Sequence, residues 1–248
     1  MNIALLTSNH LRHKFIANKL AESLNLSLIV AEAKSGKIDD TSQLKKDDAD
    51  LMASHFKSRS NSEKKFFQDY DHFPVDVDTK PIEFGALNSE IILQALKDYE
   101  IDYLVLFGSS IVKGKLLRKF PEKVINMHLG LSPYYKGSGT NFFPVYHNEF
   151  SCIGATIHLA TLQVDAGDIL HQFRLERVDE NDSLHDLGNR IIELGGSLFP
   201  KIIKSYLQGE LLPQKQISNK DSKIFRLKDF TIPVLKKTYQ NYKSFLDE

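Results

Sequence analysis

The chain contains 248 residues, 42% of them hydrophobic, which suffices for the core of one α/β domain with a short tail. Lysine plus arginine and aspartate plus glutamate both total 32, so no global basic field exists to attract nucleic acid or an anionic membrane. The single cysteine excludes an internal disulfide and suits a reducing cytoplasm, and no apolar run is long enough for a signal-peptide core or a membrane span.

The N-terminal part alternates between strand and helix patterns. Asn2–Thr7 is a short apolar run of the kind found in buried parallel strands. Apolar residues recur at helical spacing over Leu11–Leu24, and Leu26–Ala31 has the pattern of a second strand. This alternation predicts a right-handed parallel strand–helix–strand unit.

Residues 34–71 differ, because they are charged and aromatic and carry no strand signal. We predict one or two surface helices here, around Lys46–Ser58 and Ser62–Tyr70, as an insertion at about residues 36–71. Such a segment can be a solvated excursion, a cap on a pocket or a subunit contact. Its aromatic residues are expected to pack, with stacking on a nucleobase as the alternative: Phe56, Phe66, Phe67 and Tyr70.

The alternation resumes after the insertion. The further predicted elements are a helix over Asn88–Tyr99, a strand over Tyr103–Phe107, a helical turn over Leu116–Phe120, a strand over Val124–Met127, a short helix over Thr140–His147, antiparallel strands over Ile153–Leu159 and Ile169–Leu175, a long helix over Ser183–Leu207 and a last helix from about Asp229. We therefore predict an α/β domain over residues 1–210, with a mostly parallel sheet and flanking helices, and a C-terminal extension over residues 211–248.

Two segments carry the chemistry. In Val124–Gly139, VINMHLGLSPYYKGSG, Asn126 and His128 lie two apart and so leave a strand end on the same side. In Gly154–Leu170, GATIHLATLQVDAGDIL, an acidic turn offers the carboxylate of Asp165. Each residue alone is typical of turn chemistry. Together they suit acyl transfer without a covalent intermediate, and no GxSxG motif supplies a nucleophile, while Cys152 is expected inside an apolar strand.

This pair of segments resembles the formyltransferase superfamily that uses 10-formyltetrahydrofolate, from about Met1 to about Leu207. The resemblance implies a Rossmann-like fold, Asn126, His128 and Asp165 as catalytic residues, and no metal. On this basis His128 moves protons, Asn126 donates to the developing oxyanion and Asp165 supports the imidazolium. It also implies a folate cleft formed by two loops: Leu106, Phe107, Gly108, Ser109, Ser110, Ile111, Leu162, Gln163 and Val164. His158 is expected to be a core or supporting histidine.

The acceptor is suggested by what the sequence lacks. Glycinamide ribonucleotide enzymes of this superfamily carry a glycine-rich phosphate loop after the first strand, whereas Thr7–Lys14, TSNHLRHK, contains no glycine. The tail is too short for the added barrel of the tRNA enzymes. The sequence is most similar to sugar-nucleotide N-formyltransferases of surface-polysaccharide synthesis, including lipopolysaccharide O-antigen, which implies a cytoplasmic homodimer. The expected acceptor-binding residues are Asn9, His10, Arg12, His13, Tyr134, Tyr135, Lys136, Gly137 and Thr140, with Lys14 and Asn141 as further candidates.

Two alternatives to this function stay open. One is formyl transfer to another small amine, such as a ribonucleotide or an amino acid. The other is a catalytically silent module that binds folate or a nucleotide. An intact Asn126, His128 and Asp165 argues against the silent module.

Overall fold

The computed structural model describes residues 1–35, 41–217 and 221–247. Its strands are β1 (Ile3–Ser8), β2 (Leu26–Glu32), β3 (Asp78–Ile82), β4 (Tyr103–Leu106), β5 (Val124–His128), β6 (Tyr135–Gly137), β7 (Gly154–Leu159), β8 (Ile169–Arg174) and β9 (Lys223–Phe225). Seven of them form one sheet in the order β3-β2-β1-β4-β5-β7-β8, and β6 pairs with β9 separately. The first five strands in this order, β3, β2, β1, β4 and β5, run parallel to one another. β7 pairs antiparallel with β5, and β8 pairs antiparallel with β7. The predicted mostly parallel α/β fold is confirmed.

Helices cover both faces of this sheet. They are α1 (Leu11–Ala21), α2 (Lys46–Phe67), α3 (Glu90–Asp98), α4 (Gly114–Lys119), α5 (Phe143–Tyr146), α6 (Leu184–Leu207) and α7 (Ile232–Leu246). Because side chains alternate along a strand, Ile3 and Leu5 pack in a core with α1 and α6, whereas Ala4 and Leu6 pack in a second core with α3 and α4. Within the described residues, no helix is both long and apolar enough to cross a membrane.

The insertion forms one continuous helix, α2, and not two. No glycine or proline interrupts its sequence, so the polar residues around Ser60 simply continue the helix at the surface. Its end packs against α1, where the rings of Phe67 and Tyr70 lie 4.8 and 4.9 Å from that of Phe15. The predicted start of the insertion, residues 36–40, lies outside the described residues.

The sequence prediction missed strand β3 and the small β6–β9 sheet. β3 has the sequence DTKPI and lies at the edge of the sheet, where a proline is tolerated and apolar alternation is not required. The three-residue strands of β6–β9 are too short to give a pattern. Cys152 ends a 3₁₀ turn before β7 and does not lie inside a strand, which corrects that expectation.

The ends of the longest helix follow the sequence prediction. The hydroxyl of Ser183 accepts from the Asp186 N–H at 3.3 Å, and the Asp186 carboxylate accepts from the Ser183 N–H at 2.9 Å, which forms a capping box. Gly209 follows the helix with φ +73°. The predicted helix of Thr140–His147 is shorter, since only Phe143–Tyr146 are helical.

His55 links the insertion to the two C-terminal helices. His55 of α2 lies with its ring 4.5 Å from that of His185 in α6, and its Nδ1 lies 3.1 Å from the hydroxyl of Tyr239 in α7. Burial, together with nearby positive charge, lowers the pKa of His55 to about 3 and that of His185 to about 4. Both rings are therefore neutral in the folded protein at neutral pH.

We expect the folded state to lose stability in mild acid because of this pair. Unfolding returns both histidines to a pKa of about 6.5, so the unfolded chain binds more protons than the folded one below that pH. The free energy of unfolding should fall by about 2 kcal/mol per histidine between pH 6.5 and 5. Urea titrations of wild type and His185→Leu at both pH values measure this. The variant should lose about 2 kcal/mol less than wild type, and equal losses would contradict the assignment.

Candidate active site

The site is built at the carboxyl end of β5. Val124, Asn126 and His128 share one face of this strand, and Val124 belongs to the core beneath α3 and α4. The antiparallel partner β7 places His158 opposite Asn126 and Thr156 opposite His128. Asp165 lies in the loop between β7 and β8. The structure thus brings together the three residues that the sequence singled out.

His128 has a defined tautomer. Its Nε2 lies 2.8 Å from the carbonyl oxygen of Tyr135, which can only accept, so Nε2 carries a hydrogen. Its Nδ1 faces Asp165 Oδ2 at 3.3 Å. Burial lowers the pKa of His128 below its usual value, although the Asp165 carboxylate and the Tyr135 carbonyl oppose the shift. The imidazole is therefore neutral near pH 7, with its free lone pair beside a carboxylate.

Both carboxylate oxygens of Asp165 have partners in the site. Its Oδ2 accepts from the Gly137 N–H at 2.8 Å, and its Oδ1 lies 3.3 Å from the amide nitrogen of Asn126. Its backbone adopts φ +48°, a left-handed conformation that aspartate tolerates better than most residues. Burial raises the pKa of this carboxyl, but His128, His158 and the Gly137 N–H together lower it below the usual value. Asp165 is therefore a carboxylate.

His158 fixes the orientation of Asn126. Its Nδ1 lies 2.9 Å from the carbonyl oxygen of Leu159 and so carries the hydrogen. Its Nε2 then accepts from the Asn126 amide nitrogen at 3.1 Å and lies 3.4 Å from Asp165 Oδ1. The sequence prediction left His158 outside the catalytic set. Its place opposite Asn126 follows from the β5–β7 register, which no local sequence pattern gives.

The loop after β5 is fixed by Thr156 and Thr140. Thr156 Oγ1 donates to the Gly130 carbonyl at 2.8 Å and accepts from the Ser132 N–H at 3.0 Å. Thr140 Oγ1 donates to the carbonyl of Leu129. These bonds bring Tyr135 back towards His128, so that the loop supplies the carbonyl that sets the tautomer.

A cavity of about 480 Å³ lies beside the acidic loop. It is lined by Gly114, Leu117, Arg118, Pro121, Glu122, Leu159, Ala160, Thr161, Leu162 and Asp168. Of the nine residues expected at the folate cleft, Leu162 lines it, and Ile111 and Val164 expose further apolar surface. Phe107 is buried instead, and Ser110 is bound to the carboxylate of Glu32 at 3.0 and 3.1 Å. The sequence prediction missed α4 as a wall of this cavity.

A second cavity, of about 300 Å³, lies where α1 begins. Its lining comes from the loop after β1 and from α2: Asn9, His10, Leu11, Ser60, Glu63 and Lys64. It contains two of the expected acceptor-binding residues, Asn9 and His10. Within the part of the chain that the structure describes, no group of three histidine, cysteine, aspartate or glutamate side chains has the arrangement of a metal site.

Comparison with known families identifies the family of the chain. Residues 13–203 match the model of a family described as formyl transferase. The chain belongs to the formyl transferase family.

Individual relatives of this formyl transferase are distant. The chain is 30% identical to formyltetrahydrofolate deformylase 2 of Arabidopsis thaliana over 170 residues, which are 66% of this chain and 48% of that protein. It is 28% identical to phosphoribosylglycinamide formyltransferase of Bacillus subtilis over 129 residues, which are 52% of this chain and 65% of that protein. The chain therefore spans about half to two thirds of the length of these relatives.

Solved structures share the fold. An N-formyltransferase from Helicobacter canadensis, in complex with folinic acid and dTDP-3-aminofucose, superposes with a TM-score of 0.60 at 17% identity, covering 98% of this chain and 81% of that one. Phosphoribosylglycinamide formyltransferase from Anaplasma phagocytophilum gives a TM-score of 0.59 at 21% identity, covering 84% and 88%. At these identities the likeness concerns the fold alone.

The other expected acceptor-binding residues of this formyl transferase are mostly engaged within the protein. Arg12 is buried in an ion pair with Glu63, and His13 is buried beside Phe107, where desolvation and nearby cations lower its pKa well below the usual value. The hydroxyl of Tyr135 donates to Glu149 at 2.5 Å. Of the remaining expected residues, Gly137 binds Asp165, Thr140 binds Leu129, Lys136 is buried and Tyr134 is partly exposed.

The candidate Lys14 donates from Nζ to the carbonyl of Asp71 at 2.7 Å, and Asn141 accepts from the Gly154 N–H at 2.9 Å. Both side chains are therefore engaged in hydrogen bonds within the protein.

Gly130 tests how closely His128 must be held. A β-carbon added here would lie 2.6 Å from His128 Nε2 and 2.6 Å from the Tyr135 carbonyl oxygen. We expect Gly130→Ala to part these two groups and to lower kcat by roughly 100-fold, because a misplacement of about 1 Å has this effect. The matched control is Gly188→Ala in α6, where a β-carbon meets nothing within 4 Å. It should keep full activity, and equal activity of the two variants would contradict the prediction.

Proposed function

We propose that this formyl transferase transfers the formyl group of 10-formyltetrahydrofolate to the amino group of a nucleotide-linked amino deoxysugar. The observation that carries formyl transfer is the convergence of Asn126, His128 and Asp165 at the end of β5. The sugar acceptor is supported by the loop after β1, which has no glycine, and by a fold likeness to the H. canadensis enzyme that covers 98% of this chain.

The cavity beside the acidic loop fits the folate. Its walls combine apolar groups such as Leu117 and Leu162 with the polar groups of Arg118 and Asp168, as a partly apolar, hydrogen-bonding ring system requires. Gly114 contributes by its lack of a side chain, since a β-carbon there would lie 3.3 Å from Leu162 and 3.0 Å from Arg118. When bound, the folate supplies an electrophilic formyl carbonyl.

The three catalytic residues divide the work between them. Asn126 would turn its amide N–H from Asp165, a long contact of 3.3 Å, to the formyl oxygen, where such a donor contributes about 3 kcal/mol. The pair of His128 and Asp165 receives the proton that the attacking amine loses, because the neutral Nδ1 faces an ionised carboxylate. A proton then passes to the folate nitrogen as its bond to the formyl carbon breaks, so that tetrahydrofolate leaves and the pair is restored. Before the formyl group binds, His158 orients the Asn126 amide through the contact of 3.1 Å. No nucleophilic side chain takes part.

The cavity at the start of α1 suits the diphosphate of the acceptor. Asn9, His10 and Lys64 line it, and the N-terminus of α1 adds a positive dipole. The Glu63 carboxylate, which also lines the cavity, is already bound to the backbone N–H and the guanidinium of Arg12. Several positively charged groups lie nearby. Desolvation and the charges of Arg12 and Arg59 lower the pKa of Lys34 to about 8. A bound anion would reduce the repulsion between these positive charges.

We further propose that the protein is a cytoplasmic homodimer. Its formylated sugars would serve the synthesis of surface polysaccharide such as lipopolysaccharide O-antigen, as the sequence resemblance implies.

Ligand-induced stabilisation tests the acceptor class. The melting temperature would be measured with UDP, GDP, dTDP and glycinamide ribonucleotide, since a ligand at 100 times its Kd adds about 2.7 kcal/mol. We expect one nucleoside diphosphate to raise it, and Lys64→Ala to reduce the rise. Lys57→Ala, exposed on the same helix, is the matched control. A rise with glycinamide ribonucleotide and none with nucleoside diphosphates would favour the other-amine alternative.

A further inference from the structure

The C-terminal extension touches the catalytic loop through Gln216. The amide nitrogen of this side chain lies 3.1 Å from the carbonyl oxygen of Asp165 and 3.1 Å from that of Gly167. One carboxamide thus ties both ends of the turn that presents the catalytic carboxylate. Nearby, Gln214 pairs its backbone with Ile169 of β8, which anchors this part of the extension to the sheet.

The extension also supports the other side of the catalytic pair through β9. One edge of β6 faces the site, where the Tyr135 carbonyl meets His128 and the Gly137 N–H meets Asp165. The opposite edge of β6 is paired with β9 in parallel register. Phe225 of β9 leaves room only for glycine at position 137, since a β-carbon there would overlap its carbonyl oxygen.

Side chains reinforce this small sheet. The ring of Phe225 stacks on that of Phe143 at 3.9 Å and on that of Tyr135 at 5.6 Å. Lys223 of β9 forms an ion pair with Glu149 at 2.9 Å, and Glu149 also accepts from the Tyr135 hydroxyl. β6 is therefore a layer between the extension and the catalytic groups.

We propose that Gln216 is a positioning residue, through which the C-terminal extension holds Asp165 at the distance from His128 that catalysis needs. Asp165 has a left-handed backbone that its loop must hold in place. Gln216 satisfies the carbonyls on either side of Ala166 and so stabilises that turn. The inference rests on the proposed formyl transfer for its kinetic readout, but on geometry alone for its spectroscopic one.

The test compares Gln216→Leu with Gln214→Leu. A leucine at position 216 cannot donate to either carbonyl. The Gln214 side chain lies exposed in the same segment and makes no side-chain hydrogen bond to the described residues. We expect Gln216→Leu to lower kcat about ten-fold or more, with the KM for the formyl donor within about two-fold and the melting temperature within about 2 °C of the control. Gln216→Glu keeps the size but presents acceptors only, and carries the test should the leucine variant fold poorly.

The second readout is the titration of His128, followed by NMR of ¹⁵N-labelled histidine. The groups facing His128 are the Asp165 carboxylate, His158 and the Tyr135 carbonyl, and the carboxylate raises its pKa. If Asp165 moves away in Gln216→Leu, the pKa of His128 should fall, and it should not fall in Gln214→Leu. Unchanged kcat and unchanged titration in both Gln216 variants would overturn the inference.

The two readouts separate this inference from the proposed function. Should wild type formylate none of the amino sugars offered, the proposed acceptor fails, while a shifted His128 titration in Gln216→Leu still supports the positioning role. Should wild type formylate a sugar, with both Gln216 variants equally active and their His128 titration unchanged, the function stands and the positioning role fails.

Discussion

Replacing His128 by alanine is expected to lower kcat about 1,000-fold, within the range for loss of a general base. The imidazole is buried and neutral, and in the proposed reaction its Nδ1 and Asp165 together accept the proton of the amine. No other titratable side chain among the described residues combines this position with a free lone pair towards Asp165, since His158 uses its Nε2 to hold Asn126. Steady-state kinetics on purified protein measure the loss.

The fold should survive this substitution, because the side chain lost makes one short hydrogen bond to a loop carbonyl. Circular dichroism and the melting temperature would confirm a folded variant. The control is His171→Ala in β8, whose side chain makes no hydrogen bond to the residues that the structure describes and lies outside the site. Activity of His128→Ala within a few-fold of the control would remove His128 from its assigned role.

Replacing Asp165 by asparagine is expected to lower kcat by roughly 100-fold or more. Asparagine tolerates the left-handed backbone and can still accept from the Gly137 N–H, so the turn should keep its shape. What disappears is the negative charge that stabilises protonated His128. The substitution therefore separates charge from geometry.

The pH dependence of kcat is a second measurement on the Asp165→Asn variant. Activity requires neutral His128, so kcat declines as pH falls through the pKa of that imidazole. The Asp165 carboxylate raises this pKa, and its removal should move the acid limb to lower pH. Asp76→Asn, on the exposed surface, is the control and should match wild type. An unchanged rate and an unchanged acid limb in Asp165→Asn would contradict the pairing of Asp165 with His128.

The sequence predicted the elements whose patterns are local. Buried parallel strands such as Ile3–Ser8 are apolar runs, and the long helix α6 carries both a periodic stripe and a capping box. The alternation of side chains along β5 correctly placed Asn126 and His128 together. These features depend only on residues close together in the chain, and for this reason they can be predicted from a single sequence.

The parts that the sequence did not predict depend on long-range pairing. β3 is polar because it lies at an edge, and the β6–β9 sheet joins residues far apart in the chain. The contacts of Gln216 with Asp165 and of Arg12 with Glu63 carry no local pattern either. The part of α4 in the cavity beside the acidic loop has no local signal either, since α4 reaches that cavity by tertiary packing and not by its place in a motif.

The most direct test of the central claim is product formation. Wild type and His128→Ala would be incubated side by side with 10-formyltetrahydrofolate and a panel of GDP-, UDP- and dTDP-linked 3-amino and 4-amino deoxysugars, and the products weighed by mass spectrometry. We predict that wild type adds one formyl group to one of these sugar nucleotides and that the variant does not. Release of formate with no formylated sugar across the panel, or equal product from both proteins, would contradict the account.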